Sequence, residues 1–450
     1  HGKLRFRPEY ALWGEEGGAY PVTFQHVGRY FPKSVRMHVL VKGQAREIIY
    51  RQDYFTVAPT SPAAALPKDA PAFAGIWFME ARDGPDWEAR EPWATFLGAS
   101  YFRAVGELGQ VGMSARGVAL NSGGPGIEEF PDFIAHWIEA ATTDLDPVIL
   151  HSLLDSPSLT GAYRFALLRT KGVVMEIEAD LHPRAPIGRL GIAPLTSMFW
   201  FSETAKPTAI DWRPAVHDAD GLALWARTGE HIWRPLNNPP RTTLSSFFDA
   251  NPRGFGLLQR DRNFDHYQDG VKYERRPSTW VEPLGKWGAG AVQLLEFPTD
   301  DEIHDNITAS WVSKTPTDAG DSLNFAYRLY WLADEPFPTP LARVVATRLG
   351  RGGQPGQPRP KGVRKFLVEF EGGPLRELPF GVIPEPVVTT SRGIFGSYRL
   401  TEPVPDDVPG HWRTQFDLMV EGEYPVELRC YLRLGERTLS ETWAYQYYPF

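Results

Sequence analysis

The sequence lacks the features that mark several common protein classes. It holds one cysteine, Cys430, in 450 residues, so no intrachain disulfide forms and no cysteine cluster exists to bind structural zinc. It has no excess of positive charge: 47 Lys and Arg against 55 Asp and Glu give a net charge of −8, whereas a general nucleic-acid binder needs a basic footprint. No apolar run approaches the roughly 18 residues of a membrane-spanning helix. Residues 1–20 carry no apolar signal core, so any export signal is expected to have been removed already. The GxxxxGK[ST], helix-opening GxGxxG, HExxH and GxSxG signatures do not occur, and phosphate-cradling, zincin and nucleophile-elbow readings lose their usual support. The 11 histidines are dispersed; His151, for example, reads as a surface or satisfied histidine rather than a metal ligand. No cofactor or metal is called for.

What is present is apolar surface and turns. Hydrophobic residues make up 42% and aromatics 13%, with 42 glycines and 41 prolines; disorder is excluded, and the length exceeds one ordinary core. Short alternating, β-branched and aromatic runs recur about every ten residues between Gly, Pro, Asn and Asp. Examples are Val35–Val41, Val173–Leu181, Lys365–Glu371, Thr414–Val420, Val426–Leu434 and Glu441–Tyr448. The chain therefore reads as mainly β. One segment departs: in Phe130–Thr142, residues Phe130, Phe133, Ile134, Trp137 and Ile138 fall at helical spacing with Pro131 in the first turn, which predicts a helix lying against a sheet. Leu349–Gly362 alternates Gly and Pro with Arg and Gln and reads as an exposed loop or the edge of a domain junction. The stretch of about 90 residues beyond it has the length and strand density of an immunoglobulin-like sandwich. These features predict a large β-sandwich over 1–338 and a small immunoglobulin-like domain over 339–450.

Two acidic segments stand out, Thr299 to Ile307 and His217 to Gly221. Each alone reads as a solvated turn. Two carboxyl groups from distant segments facing one groove, however, are what glycosidic cleavage needs, one to protonate the leaving oxygen and one to activate the nucleophile. Between them lie many aromatic and planar polar residues, among them Trp225, Trp233 to Pro239, Phe255, Tyr267, Tyr273, Trp280 and Trp287. Most are expected to be core, but aromatic platforms edged with Arg and Asn suit sugar faces and hydroxyls. Trp233, Arg234, Asn237, Asn238, Arg260 and Tyr267 are the candidates to line such a groove. Gln259–Asp269 is too polar for a central strand and reads as a loop that lines or covers it. Cys430 reads as a buried small hydrophobe.

Several stretches together resemble a known family. They include Leu97 to Arg103 (LGASYFR), Ser114 to Gly117 (SARG), Glu128 to Pro131 (EEFP), Leu153 to Pro157 (LLDSP), Thr160 to Tyr163 (TGAY) and Ala193 to Phe199 (APLTSMF). Further on come Ile232 to Pro239 (IWRPLNNP), Gly254 to Arg260 (GFGLLQR), Arg276-Pro277-Ser278, Asp305-Asn306-Ile307 and Leu439 to Trp443 (LSETW). Spread over almost the whole chain, they resemble the periplasmic glucan biosynthesis proteins OpgG and OpgD, also called MdoG and MdoD. The resemblance implies a large galactose-mutarotase-like β-sandwich followed by a small immunoglobulin-like domain, and a periplasmic location. His1 aligns inside the family's mature sequence, so a further N-terminal segment is expected.

Within such a family the resemblance implies inverting cleavage of β-1,2-linked glucan. It places the general acid on Asp305 and the water-side group on Asp218, with Glu302 and Tyr273 as supporting groove positions. An inverting pair is expected to stand at least about 6.5 Å apart. The leading expectation is an endo-β-1,2-glucanase. A rival with the same carboxylates delivers the cleaved end to a glucose 6-hydroxyl and cyclises the chain through an α-1,6 linkage. A third, from a different class, is a non-catalytic glucan-binding scaffold serving an inner-membrane glucan synthase. The G-like or D-like identity and the oligomeric state stay open.

Overall fold

The computed structural model describes residues 4–61, 64, 73–84, 86–124, 126–205 and 209–449; His1 lies outside them. The architecture is almost entirely β, in sandwich layers. One layer is a ten-stranded sheet. In spatial order its main path runs Val22–His26, Phe73–Phe78, Ala94–Leu97, Tyr101–Ala104, Ser114–Arg116, Leu190–Ser197, Ile307–Ser313, Ala289–Glu296 and Thr243–Ala250. Facing it is a fifteen-stranded sheet whose central strands, Val148–Asp155, Leu159–Arg169, Val173–Pro183 and Leu323–Leu332, pair antiparallel. Side chains alternate across each strand. In the smaller sheet Phe78, Phe96, Phe102, Ala115, Leu195 and Ala309 point inward and are buried. Phe96 and Phe102 meet Phe165 of the opposite sheet at ring separations of 5.0 and 5.2 Å. The alternate residues, Trp77, Thr95, Arg103, Ser114 and Thr196, therefore share the outer face.

The C-terminal strands make a second, smaller sandwich. Arg343–Arg351, Val363–Glu371, His411–Met419 and Ile394–Pro403 form a four-stranded sheet. The opposing strands, Glu385–Thr390, Val426–Leu434 and Thr442–Tyr447, belong to the large sheet, because Thr442 and Trp443 pair in parallel with Ile232 and Trp233. The core of this sandwich, with Phe366, Phe416 and Trp443, also takes in Trp233, Leu258 and Trp280 from the preceding portion. Cys430 is buried there.

The strand expectations hold closely, with Val426–Leu434 observed as predicted. The helix expected over Phe130–Thr142 is absent: Asp132–Glu139 is a strand, antiparallel to Val148–Asp155 and parallel to Arg36–Val41. The helical spacing comes from apolar residues on the outer side, since Phe130 and Ile134 are exposed and Trp137 is half-buried, whereas Phe133, Ala135, His136 and Ile138 are buried about a bulge between Phe133 and Ala135. Leu349–Gly362 begins in the strand Arg343–Arg351 and continues as the exposed hairpin loop leading to Val363–Glu371. There the Arg359 guanidinium donates to the carbonyls of Gly352 and Gly353 at 3.0 and 2.9 Å.

Candidate active site

The two acidic segments are brought together by residues 198 and 199. Phe199–Phe201 pairs with Val216–His217, and the next amide, that of Asp218, donates to the Met198 carbonyl at 2.8 Å. On the other side the amide of Phe199 donates to Asn306 Oδ1 at 2.8 Å, and Asn306 Nδ2 donates to the Phe199 carbonyl at 2.9 Å and to that of Phe297 at 2.8 Å. Asn306 is buried and makes the hydrogen bonds of a short strand with its side chain. Its neighbour Asp305 is thus fixed at the end of the turn that leads into Ile307–Ser313.

Asp218 is buried, with Arg276 Nε 3.0 Å from its Oδ1. Burial pushes its carboxyl up to about 6; Arg276 and Arg103 oppose the shift, and the charges of Asp305 and Glu302 add to it. Asp305 is open to solvent at the surface of the turn. Protein walls nevertheless crowd it, and the lost hydration raises its pKa against the pull of Thr196, Arg103, Arg116 and Arg276. Each carboxyl thus sits in the field of the same two arginines. Glu302 accepts from the Tyr273 hydroxyl and from Arg213 Nη1, both at 2.7 Å. Burial and the Glu302 charge hold the Tyr273 phenol above its ordinary value. Arg276 lies 5.3 Å from the Tyr273 ring centroid, so Asp218, Arg276, Tyr273 and Glu302 form one contiguous wall.

The loop 259–277 carries Tyr273 and Arg276, and its polarity is turned inward. Asp220 accepts the amides of Arg260 and Asp261, the latter at 2.7 Å. Gln259 donates to the Tyr267 hydroxyl at 2.8 Å and to the Tyr273 carbonyl at 3.1 Å. Arg262 Nη1 donates to the carbonyls of Glu274 and Arg276 at 2.9 and 2.6 Å. Asp269 holds Arg213 Nη1 at 2.7 Å. A loop so anchored presents its aromatic and cationic side chains in fixed positions.

Of the six residues expected to line a sugar groove, Trp233 and Arg260 border a small cavity together with His217 and Asp220. Trp233 is buried beneath the Arg260 guanidinium, 3.8 Å from its ring centroid. Arg234 is buried against Glu296 at 2.9 Å. Asn237 donates through its amide N–H to Glu296 and through Nδ2 to the Gln446 carbonyl, at 2.7 and 2.8 Å. Arg260 binds Glu441 at 2.8 and 2.9 Å, and Tyr267 is fully buried. These five serve the junction of the two cores and the base of the loop. Asn238 stands closer to the site: it donates to the Trp200 carbonyl at 3.0 Å and exchanges hydrogen bonds with Thr299, the first residue of the acidic turn. Conversely Arg103, Arg276 and Thr196 surround the carboxyls without having been singled out. All three lie in quoted family-like stretches, but spacing gave them no role.

The loops of this β-sandwich thus bring two carboxyls of raised pKa into one arginine-lined site. The family model described as "Periplasmic glucan biosynthesis protein, MdoG" matches residues 1–447. The chain is 60% identical to glucans biosynthesis protein D 2 of Ralstonia nicotianae, over 100% of this chain and 84% of that protein. It is 47% identical to glucans biosynthesis protein D of Stenotrophomonas maltophilia (99% and 83% covered) and 46% identical to its namesake in Xanthomonas campestris pv. campestris (99% and 83% covered). The chain belongs to the MdoG family of periplasmic glucan biosynthesis proteins. Among the described residues no helix is long and apolar enough to cross a membrane.

Proposed function

We propose that this chain is a periplasmic, inverting enzyme of the glycoside hydrolase type, an endo-β-1,2-glucanase acting in the biosynthesis of osmoregulated periplasmic glucans. The observation that carries the reading is the attachment of both acid-bearing segments to the consecutive residues Met198 and Phe199, with both carboxyls raised above their ordinary range. Asp305, protonated, donates to the glycosidic oxygen as the C1–O bond breaks. A water attacks C1 from the opposite face, and its proton passes to ionised Asp218. Arg276 favours the ionised form of Asp218 and orients it. Glu302 and Tyr273 support the water side. Trp233, Arg234, Asn237, Arg260 and Tyr267 brace this arrangement from beneath, and Asn238 steadies the acidic turn. The substrate class, the periplasmic location of this chain, a synthase at the inner membrane as partner and the division into 1–338 and 339–450 are parts of the same proposal.

The test is incubation of wild-type and Asp305→Asn protein with linear β-1,2-glucan, followed by mass spectrometry. Shorter fragments carrying one added water, lost in the variant, are expected. Products lighter by one water than linear chains of equal glucose count would replace hydrolysis by cyclising transfer with the same carboxylates. No product from either protein would overturn the enzymatic reading in favour of a glucan-binding scaffold.

A further inference from the structure

Where residues 333–342 link the two sandwiches and pass the root of loop 259–277, there is a cavity of about 650 Å³. Neither Asp218 nor Asp305 lines it. Four arginines do, Arg260, Arg262, Arg343 and Arg376, with the acidic Asp334 and Glu371 beside them. Leu108, Leu341 and Val345 supply an apolar wall, and Leu108 and Val345 are 40% and 47% exposed. Size, a position between two domains and an apolar wall with a few charged groups are the features of a small-molecule site.

Two of the four arginines are neutralised where they stand. Arg260 grips Glu441 at 2.8 and 2.9 Å, and Arg343 grips Asp334 at 2.6 and 2.8 Å. Glu335 is shared between the same two at 3.4 and 3.5 Å. Burial pushes its carboxyl up to about 7, so near neutral pH it offsets only part of a charge. Arg262 differs in kind. Its guanidinium donates to neutral acceptors, the carbonyls of Glu274, Arg276 and Ala333 and the Ser278 hydroxyl. Burial lowers its pKa, against the pull of Asp220 above all, as expected of a cation without a bonded carboxylate.

Arg376 is exposed and has no ion-pair partner among the described residues. Its guanidinium lies back over Gly372, where a Cβ would stand 3.5 Å from its Nη2. The backbone adopts φ +87° at Gly372 and +48° at Gly373, and a Cβ on Gly373 would meet the Ala342 nitrogen at 2.5 Å. The turn that presents Arg376 to the cavity thus suits glycine at both positions. On the cavity wall, then, Arg262 and Arg376 stand against Glu371 alone, and a free guanidinium fork matches the oxygens of a carboxylate or phosphate.

We propose that this cavity binds a small organic anion, a phosphate or carboxylate carried on a compact apolar body. The charged head pairs with Arg376 in the field of Arg262, and the body rests on Leu108, Leu341 and Val345. The site is separate from the two carboxyls and does not depend on the function proposed for them. It adjoins them only through Arg262, which holds the backbone of Arg276.

Calorimetric titration of the protein at low ionic strength tests the site, with phenyl phosphate, benzoate and inorganic phosphate as probes. One equivalent of phenyl phosphate or benzoate should bind, the tighter of the two identifying the charged head. Inorganic phosphate, lacking the apolar body, should bind more weakly. Arg376→Ala should weaken binding about ten-fold, the effect of losing one hydrogen bond between charged groups, and Arg376→Glu should abolish it. Arg376 is exposed, so neither change threatens the fold. Unchanged binding in Arg376→Glu would overturn the proposal by placing the anion elsewhere, as among Arg103, Arg116 and Arg276. A parent protein that binds none of the three probes would overturn it too, and inorganic phosphate binding as tightly as phenyl phosphate would overturn the part given to the apolar wall.

Discussion

Asp218 and Asp305 show how two like groups acquire different surroundings, which fits the different roles proposed for them. Asp218 is enclosed and paired with Arg276, whereas Asp305 faces the open groove. The base must be ionised and the acid protonated, so activity should fall on both sides of an optimum. On the acidic side, kcat/KM should drop as the pH falls through about 6, where Asp218 takes up its proton. The limbs belong to the coupled pair rather than to one residue. Removing the Arg276 guanidinium removes the main charge that lowers the Asp218 pKa. In Arg276→Gln the acidic limb should therefore move to higher pH, as a pH–rate series would register; an unmoved limb would contradict the role given to Arg276. At this scale the two carboxyls were legible as candidates, because short motifs surround them. The arginines that set their protonation were not, since Arg103 and Arg276 approach from segments far apart in sequence.

At the scale of elements, Asn306 is the joint on which the site depends. Its side chain takes the place of backbone in three hydrogen bonds that tie the acidic turn to Phe199 and Phe297. Asn306→Ala leaves buried backbone groups without partners, which should cost about 2–3 kcal/mol of stability. A denaturant titration would measure that loss, and kcat should fall more than KM rises because the displaced group is Asp305. The same scale explains the two local surprises. Apolar residues on the outer side of Asp132–Glu139, Ile134 and Trp137, gave a strand the spacing of a helix. Gln259–Asp269 looked like a polar cover, yet Asp220, Gln259 and Arg262 spend that polarity on anchoring the loop. Residue pattern predicts that such groups bond, but not whether they bond to sugar or to their own backbone.

For the whole molecule, the sequence conveyed the β class, the sandwich layers and the family, and missed the continuity between its parts. The parallel pairing of Trp233 with Trp443 carries one sheet across both sandwiches. It joins segments about two hundred residues apart, a link that no local period encodes. This continuity also buries Trp233 and Trp280 in the core that the two sandwiches share, while an aromatic cleft on the outer face comes from N-terminal strands. The central claim is that Asp305 and Asp218 act from opposite sides of one glycosidic bond. The most direct test is the configuration of the newly formed reducing end, followed by proton nuclear magnetic resonance in the first minutes of β-1,2-glucan cleavage. The account predicts the α-anomer first, with the β-anomer appearing only through mutarotation; a β-anomer formed first would contradict it.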